Sequence, residues 1–253
     1  MIHSPQFEHL QLVVENQVAT ISLDRAGGVN AFSTAMYREI RAAIRIADSA
    51  GDVSCILLRS AKRDFGVGGD LHEMRELLDN GQDVDLYRFR DDLPYAALRS
   101  TRKPTVAAVD GLCVGGGLGI ATSCDIVLVG DSARFGVPEV KMGLIDGLAA
   151  STLFGHIPRS ALNYLLFSGK LIDAREAVRI GLALECVPGA ELQARARELA
   201  HDVSSTSASA IEQYKRIIRG YERLDNLDDV AELIVKSPEV RARLNDFHAR
   251  RSE

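Results

Sequence analysis

The stretch from Thr105 to Val129, TVAAVDGLCVGGGLGIATSCDIVLV, decides how the chain is read. It opens and closes on apolar, β-rich residues, and between them stands Gly115-Gly116-Gly117-Leu118-Gly119. A glycine run after a strand and before a small-residue, helix-compatible segment frees the backbone to take unusual conformations and to approach a ligand closely. The N–H groups at the start of such a helix lack internal partners and can face an anion, including an oxyanion that forms during a reaction. Glycines in this place also serve tight helix–strand packing, and the stretch by itself leaves both uses open.

Upstream lies a second turn of the same kind, Asp64-Phe65-Gly66-Val67-Gly68-Gly69-Asp70-Leu71. It follows a short buried strand over Ser54–Leu58 and leads into a helix over Leu71–Leu78. Two strand-to-helix glycine turns can offer two backbone donors to one oxygen, which suits an enolate better than a phosphate. A phosphate loop, GxxxxGK[ST], does not occur, and Ile120 stands where a dinucleotide turn needs its third glycine. A GxSxG nucleophile elbow is also missing. Phosphate transfer, hydride transfer and serine acyl transfer all lose ground.

The flanking chain alternates strands with helices. Leu10–Val14 and Val18–Leu23 read as a hairpin, and Ala31–Ala47 as an amphipathic helix with Ser33 as its cap. Asp83–Arg102 reads as mostly helical, bent or split at Pro94. Ala133–Val137 is extended, Pro138-Glu139 is a helix start, and Gly143–Gly147 is a loop. From Leu148 onward the chain reads as helical, including Asp228–Val235 and Pro238–Arg250, with a short strand inside Leu182–Val187. Strands separated by helices predict parallel pairing.

Composition bounds the function. The 253 residues are 46% hydrophobic and 26% charged, as in a soluble globular protein of one large domain, or one with a small appendage. A net charge of −5 argues against a mainly nucleic-acid-binding surface. The run from Gly111 to Cys124 is too short and glycine-rich to span a membrane. Cys55, Cys113, Cys124 and Cys186 form no CxxC pair, and the six histidines show no metal spacing, so no metal site and a reducing cytoplasm are expected.

Four segments together resemble the crotonase superfamily, the enoyl-CoA hydratases and isomerases. They are Asp24-Arg25 with Asn30-Ala31; Phe65 to Leu71; Lys103-Pro104-Thr105-Val106-Ala107-Ala108-Val109-Asp110-Gly111 followed by Gly115-Gly116-Gly117; and Phe135-Gly136-Val137-Pro138-Glu139 with Gly143-Leu144. Each is weak alone, but their order and separations match the family's from about Leu10 to the C-terminus. The resemblance implies a ClpP/crotonase-like α/β fold of repeated ββα units. Residues 1–195 would form the core, and 196–253 a C-terminal helical oligomerisation and lid region that builds trimers or hexamers. It implies an acyl-CoA substrate and no cofactor, coenzyme A being part of the substrate.

By position, the resemblance gives Val67 and Gly116 as the amides that hold the thioester oxygen. It gives Glu139 as the catalytic acid/base, and Phe65, Gly66, Asp70 and Leu71, with Arg25 and Ala31 beside them, as the grip on coenzyme A. Lys215 lies near where relatives supply a cation to a CoA phosphate, often across a subunit boundary; its alternative is a solvated helix lysine. Without the resemblance, Glu139 reads as a carboxylate at a helix start.

Two departures shape the expected chemistry. Water addition in this family commonly uses a second glutamate two residues after the third glycine, and here that residue is Gly119. The loop after Gly143 carries Asp146 where the family usually has proline, which makes Asp146 either a second acid/base or a turn-forming aspartate. A single carboxylate can still move a proton between two carbons, so double-bond isomerisation through Glu139 is expected. The alternatives are hydration or thioester hydrolysis by Glu139 with Asp146, and, more remotely, a non-catalytic RNA-binding member.

Overall fold

A computed structural model describes residues 6–80 and 93–221. The helices expected at Asp228–Val235 and Pro238–Arg250, and the expected helical residues 83–92, lie outside them.

The two N-terminal strands, β1 (Leu10–Glu15) and β2 (Val18–Leu23), pair antiparallel as the hairpin pattern predicts. Asn16 and Gln17 turn the chain between them with positive φ. From β2 the sheet continues in parallel through β3 (Cys55–Ser60), β4 (Thr105–Val109), β6 (Ile126–Gly130) and β9 (Glu185–Val187), in the order β1-β2-β3-β4-β6-β9. A smaller sheet joins β5 (Leu112–Val114), β7 (Arg134–Gly136) and β8 (Ile172–Asp173). Neither β5 nor β8 is legible in the sequence: β5 lies inside the run that leads to the glycines, and the two residues of β8 carry no periodicity to read.

The two-residue period of the strands divides the core. Ile56, Leu58, Ala107, Val109, Val127 and Val129 face the larger apolar cluster. That cluster is covered by α1 (Thr34–Ser49), which contributes Met36, Ile40, Ala43, Ile44 and Ala47. Cys55, Leu57, Val106, Ala108 and Leu128 face the other way, against Leu192, Ala196 and Ala200. Those three stand at helical spacing on α8 (Gly189–Ser204), and the two alanines let the helix close on the sheet. Leu57 is fully buried, and its replacement by alanine costs about 2–5 kcal/mol. The expected boundary between residues 195 and 196 falls inside α8. On both sides of that position α8 packs against the sheet as one helix.

Capping matches the sequence signals. Ser33 caps α1 by accepting from the Met36 amide at 3.2 Å. Pro94 does not bend a helix but stands first in α3 (Pro94–Ser100), where its missing N–H costs nothing. The remaining helices are α2 (Leu71–Asp79), α4 (Gly116–Thr122), α5 (Gly147–Leu153), α6 (Arg159–Ser168), α7 (Ala174–Arg179) and α9 (Ala208–Tyr221). Among the described residues no helix is long and apolar enough to cross a membrane.

Candidate active site

The loops after β3 and β4 meet at the carboxyl ends of parallel strands, where open α/β sheets bind ligands. Backbone bonds zip them together. Phe65 N–H donates to Asp110 O, Gly66 N–H to Leu112 O, and Val114 N–H to Gly66 O, each at 3.0 Å. Asn30, fully buried, braces the first turn by donating to Ser60 Oγ at 2.9 Å and to Phe65 O at 3.2 Å. The second turn ends in Gly115, whose φ of +50° and ψ of −122° favour glycine. Its N–H donates to Gly136 O at 3.1 Å, and this ties the start of α4 to β7.

That tie brings in Glu139. It stands second in the 3₁₀ turn Pro138–Met142, directly after β7. The next helix, α5, is capped by Asp146, whose Oδ1 accepts from the Ala149 amide at 2.8 Å. A hydroxyl bond of 2.8 Å between Thr122 and Thr152 holds α5 against α4. Both carboxyl groups therefore line one cavity, beside Gly116, Tyr37 and Tyr95.

Charge in this cavity is costly. Burial, then the neighbouring Asp146, pushes the Glu139 carboxyl up to about 8. Burial also raises Asp146, against the stabilising amides of Ala149 and Leu148. Glu139 Oε2 is buried with no hydrogen-bond partner among the described residues. A proton-binding carboxyl left without a partner in a cavity is placed to exchange a proton with a bound molecule.

The expected oxyanion donors divide. Gly116 lines the cavity at the first position of α4, where no earlier helical carbonyl is available to its N–H. The Val67 assignment is corrected: its N–H donates to Asn30 O at 3.0 Å and is already used. Gly69 is the residue that sequence reading missed. Phe32 N–H donates to Gly68 O at 2.9 Å and Asp70 N–H to Phe32 O at 3.0 Å, so both flanking peptide groups face Phe32. In extended backbone the intervening Gly69 N–H points the other way, and Gly69 lines the cavity. A run of two glycines before Asp70 was the signal, but only the pairing shows which amide is free.

The other expected residues separate into wall and frame. Asp70 and Leu71 line the cavity. Asp70 caps α2 by accepting from His72 N–H at 2.9 Å, and it also pairs with Arg25. Burial works against its ionised form, but Arg25 and the amides of Glu73 and His72 outweigh this and hold its carboxyl below the usual range. Arg25 also donates to Ala31 O. Phe65 is fully buried, and Gly66 lies against the Phe32 ring. Neither Phe65, Gly66, Arg25 nor Ala31 is among the residues lining the cavity; Arg25 reaches it through Asp70.

Lys215 is neither in this cavity nor solvated. Its side chain is 8% exposed and pairs with Asp125, and its amine donates to Lys103 O at 2.9 Å. Asp125 in turn accepts from the Thr105 amide and hydroxyl at 2.7 and 2.8 Å. Lys215 fastens α9 to the start of β4, which corrects the reading of it as a solvated helix lysine. Tyr95, which the sequence leaves as lining or packing, lines the cavity; Tyr87 and Phe89 lie outside the described residues.

Known proteins carry the same frame. The family model for enoyl-CoA hydratase/isomerase matches residues 14–235. A protein described as a probable enoyl-CoA hydratase from Mycobacterium bovis is 31% identical over 218 residues, 85% of this chain and 83% of that protein. The short-chain-enoyl-CoA hydratase of Clostridium acetobutylicum is 30% identical over 215 residues, 84% and 82% of the two chains. The crystal structure of an enoyl-CoA hydratase/isomerase from Xanthobacter autotrophicus superposes with a TM-score of 0.84 at 27% identity, covering 97% of this chain and 94% of that one. With that match in sequence and a crotonase-like α/β architecture around the cavity, the chain belongs to the enoyl-CoA hydratase/isomerase family.

Proposed function

We propose that this protein isomerises the double bond of an enoyl-CoA thioester, with Glu139 carrying the proton. The observation that carries the reading is the space at Gly119. The Tyr95 ring fills it: a Cβ on residue 119 would stand 2.9 Å from Tyr95 Cε1. The place of the family's other glutamate is thus closed, and the acid/base pair beside Gly116 is Glu139 with Asp146.

In the proposed reaction the thioester oxygen accepts from the N–H groups of Gly69 and Gly116. Ionised Glu139 takes the α-proton of a 3-enoyl-CoA. The electron pair delocalises onto the thioester oxygen as a dienolate, which the two amides stabilise, and Glu139 returns the proton at the γ-carbon. Each such amide is worth on the order of 100- to 1000-fold in rate. A carboxyl held near 8 is matched to this work, because it is a stronger base than an exposed glutamate and still gives its proton back. Asp146 sets that affinity through its charge.

Hydration is the second reading, favoured by the names of the relatives and by the presence of two carboxyl groups. Glu139 and Asp146 would then act on one water. The test is a mass-resolved assay with matched 2-enoyl- and 3-enoyl-CoA thioesters in heavy-oxygen water. Conversion of the 3-enoyl to the 2-enoyl compound without mass gain supports isomerisation. Gain of one labelled water replaces it with hydration, and labelled free acid replaces it with hydrolysis.

A further inference from the structure

The cavity holds two phenols that the proton transfer does not use. Tyr37 comes from α1 and Tyr95 from α3, and they are 7% and 6% exposed. Their rings are held firmly. Phe32 stacks on Tyr37 with centroids 5.3 Å apart and an interplanar angle of 19°, and the Tyr95 ring lies 6.2 Å from that of Tyr37.

Their hydroxyls are poorly satisfied. Tyr95 Oη lies 3.5 Å from Tyr37 Oη and 3.3 Å from Gly116 O. An ordinary O–H···O bond is about 2.7–2.8 Å long, so both contacts are stretched. The two O–H groups also converge on one place: Tyr37 Oη is 2.3 Å, and Tyr95 Oη 3.3 Å, from where a Cβ of residue 116 would stand. Both therefore sit beside the residue whose amide is offered to the thioester oxygen. A third oxygen that came between them at normal distance would strengthen two stretched bonds at once.

We propose that the hydroxyls of Tyr37 and Tyr95 together bind an uncharged oxygen on the acyl group, so that this chain takes acyl-CoA thioesters bearing a ketone or hydroxyl oxygen close to the thioester. The inference rests on the reading of this cavity as an acyl-CoA site, not on which proton transfer occurs there. The charge of the oxygen follows from its surroundings. Glu73, Glu139 and Asp146 line the same cavity together with Asp70, which Arg25 pairs, and an anionic acyl group would meet these acidic side chains there. Burial first, together with the carboxylates of Asp146, Glu139 and Glu73, raises the Tyr37 hydroxyl and so keeps it a proton donor. Leu93, Met142, Leu144 and Leu148 line the rest and suit an otherwise apolar chain.

Equilibrium binding of unreactive CoA thioethers tests this. One analogue carries a plain alkyl chain, and its partner, of equal length, carries a ketone on the third or fourth carbon. The wild type should bind the ketone about tenfold or more tightly than the plain chain. Tyr37→Phe and Tyr95→Phe, which keep the rings, should each shrink that ratio to about threefold, and the double variant should erase it. If Tyr37→Phe does not fold, Tyr95→Phe carries the comparison. Equal binding of the two analogues by the wild type overturns the inference, as does a ratio unchanged in the Phe variants or no binding of either analogue. Turnover of the matching enoyl thioesters separates the two claims. A ketone preference without isomerisation sinks only the proposed reaction, and isomerisation without the preference sinks only the phenol site.

Discussion

Glu139 and Asp146 close on one point: Glu139 Oε1 lies 1.8 Å, and Asp146 Oδ2 3.3 Å, from where a Cβ of residue 115 would stand. The absence of a side chain at Gly115 is what lets both carboxyl groups enter the cavity. Their nearness, added to burial, explains why Glu139 holds its proton into the neutral range.

Gly115→Ala should therefore abolish activity by displacing Glu139 rather than by unfolding the chain. The new methyl group also demands a φ that alanine disfavours, at about 1–2 kcal/mol. A thermal melt should show that modest loss, while kcat falls on the order of 1000-fold. Near-normal turnover would mean that the Glu139 position is not critical.

Glu139→Gln should lower kcat by about 100- to 10,000-fold with little change in KM. Its stability effect has a defined sign. The native state keeps the Glu139 proton up to about pH 8, while the unfolded chain releases it near pH 4.5. The native state therefore binds more protons across that window, and wild-type stability falls as pH rises through it. The variant escapes this loss. It should gain up to a few kcal/mol over the wild type at pH 8.5 and little at pH 4, as read by denaturant melts.

Asp146→Asn should move the pH profile. The charge of Asp146 raises the Glu139 carboxyl, so its removal lets Glu139 ionise at lower pH. In the wild type, kcat/KM should climb toward a plateau above about pH 8, and in the variant the climb should come earlier. An unmoved inflection would show that the two groups do not interact.

Gly69→Pro removes one free amide and should cost on the order of 100- to 1000-fold in kcat. Val67→Ala leaves the Val67–Asn30 bond in place and should change kcat less than about threefold. The reverse ranking would restore Val67 as the donor.

Lys215→Met leaves Asp125, which Thr105 still holds and water reaches, without its cation and should cost about 1–2 kcal/mol. KM for a CoA thioester should stay unchanged, because Lys215 lies outside the cavity. A several-fold rise in KM without loss of stability would reinstate it as a phosphate ligand.

Much of the frame was legible before any tertiary contact was known. Short apolar, β-branched runs marked β2, β3, β4 and β6, and Ser33 and Pro138 marked starts of helical segments. Glu139, Asp146, Gly116 and Asp70 were found from their motifs, and all four line the cavity. Val67 was misread because the sequence shows a turn's residues but not the direction of each amide, which the pairing of Gly69 with Phe32 fixes. That Lys215 is buried rather than solvated was not legible, because amphipathic spacing does not reveal that a lysine meets a carboxylate 90 residues away.

The sequence by itself determined the family, the order of strands and helices, and the loss of a carboxylate at residue 119, because these reside in local pattern and residue identity. Tertiary structure alone decided which amides stay unpaired, that Tyr95 fills the space over Gly119, that Tyr37 joins it, and that Glu139 and Asp146 share one buried pocket. Those facts depend on distances between segments far apart in the chain and on the exclusion of water around them, and neither is written in the order of residues.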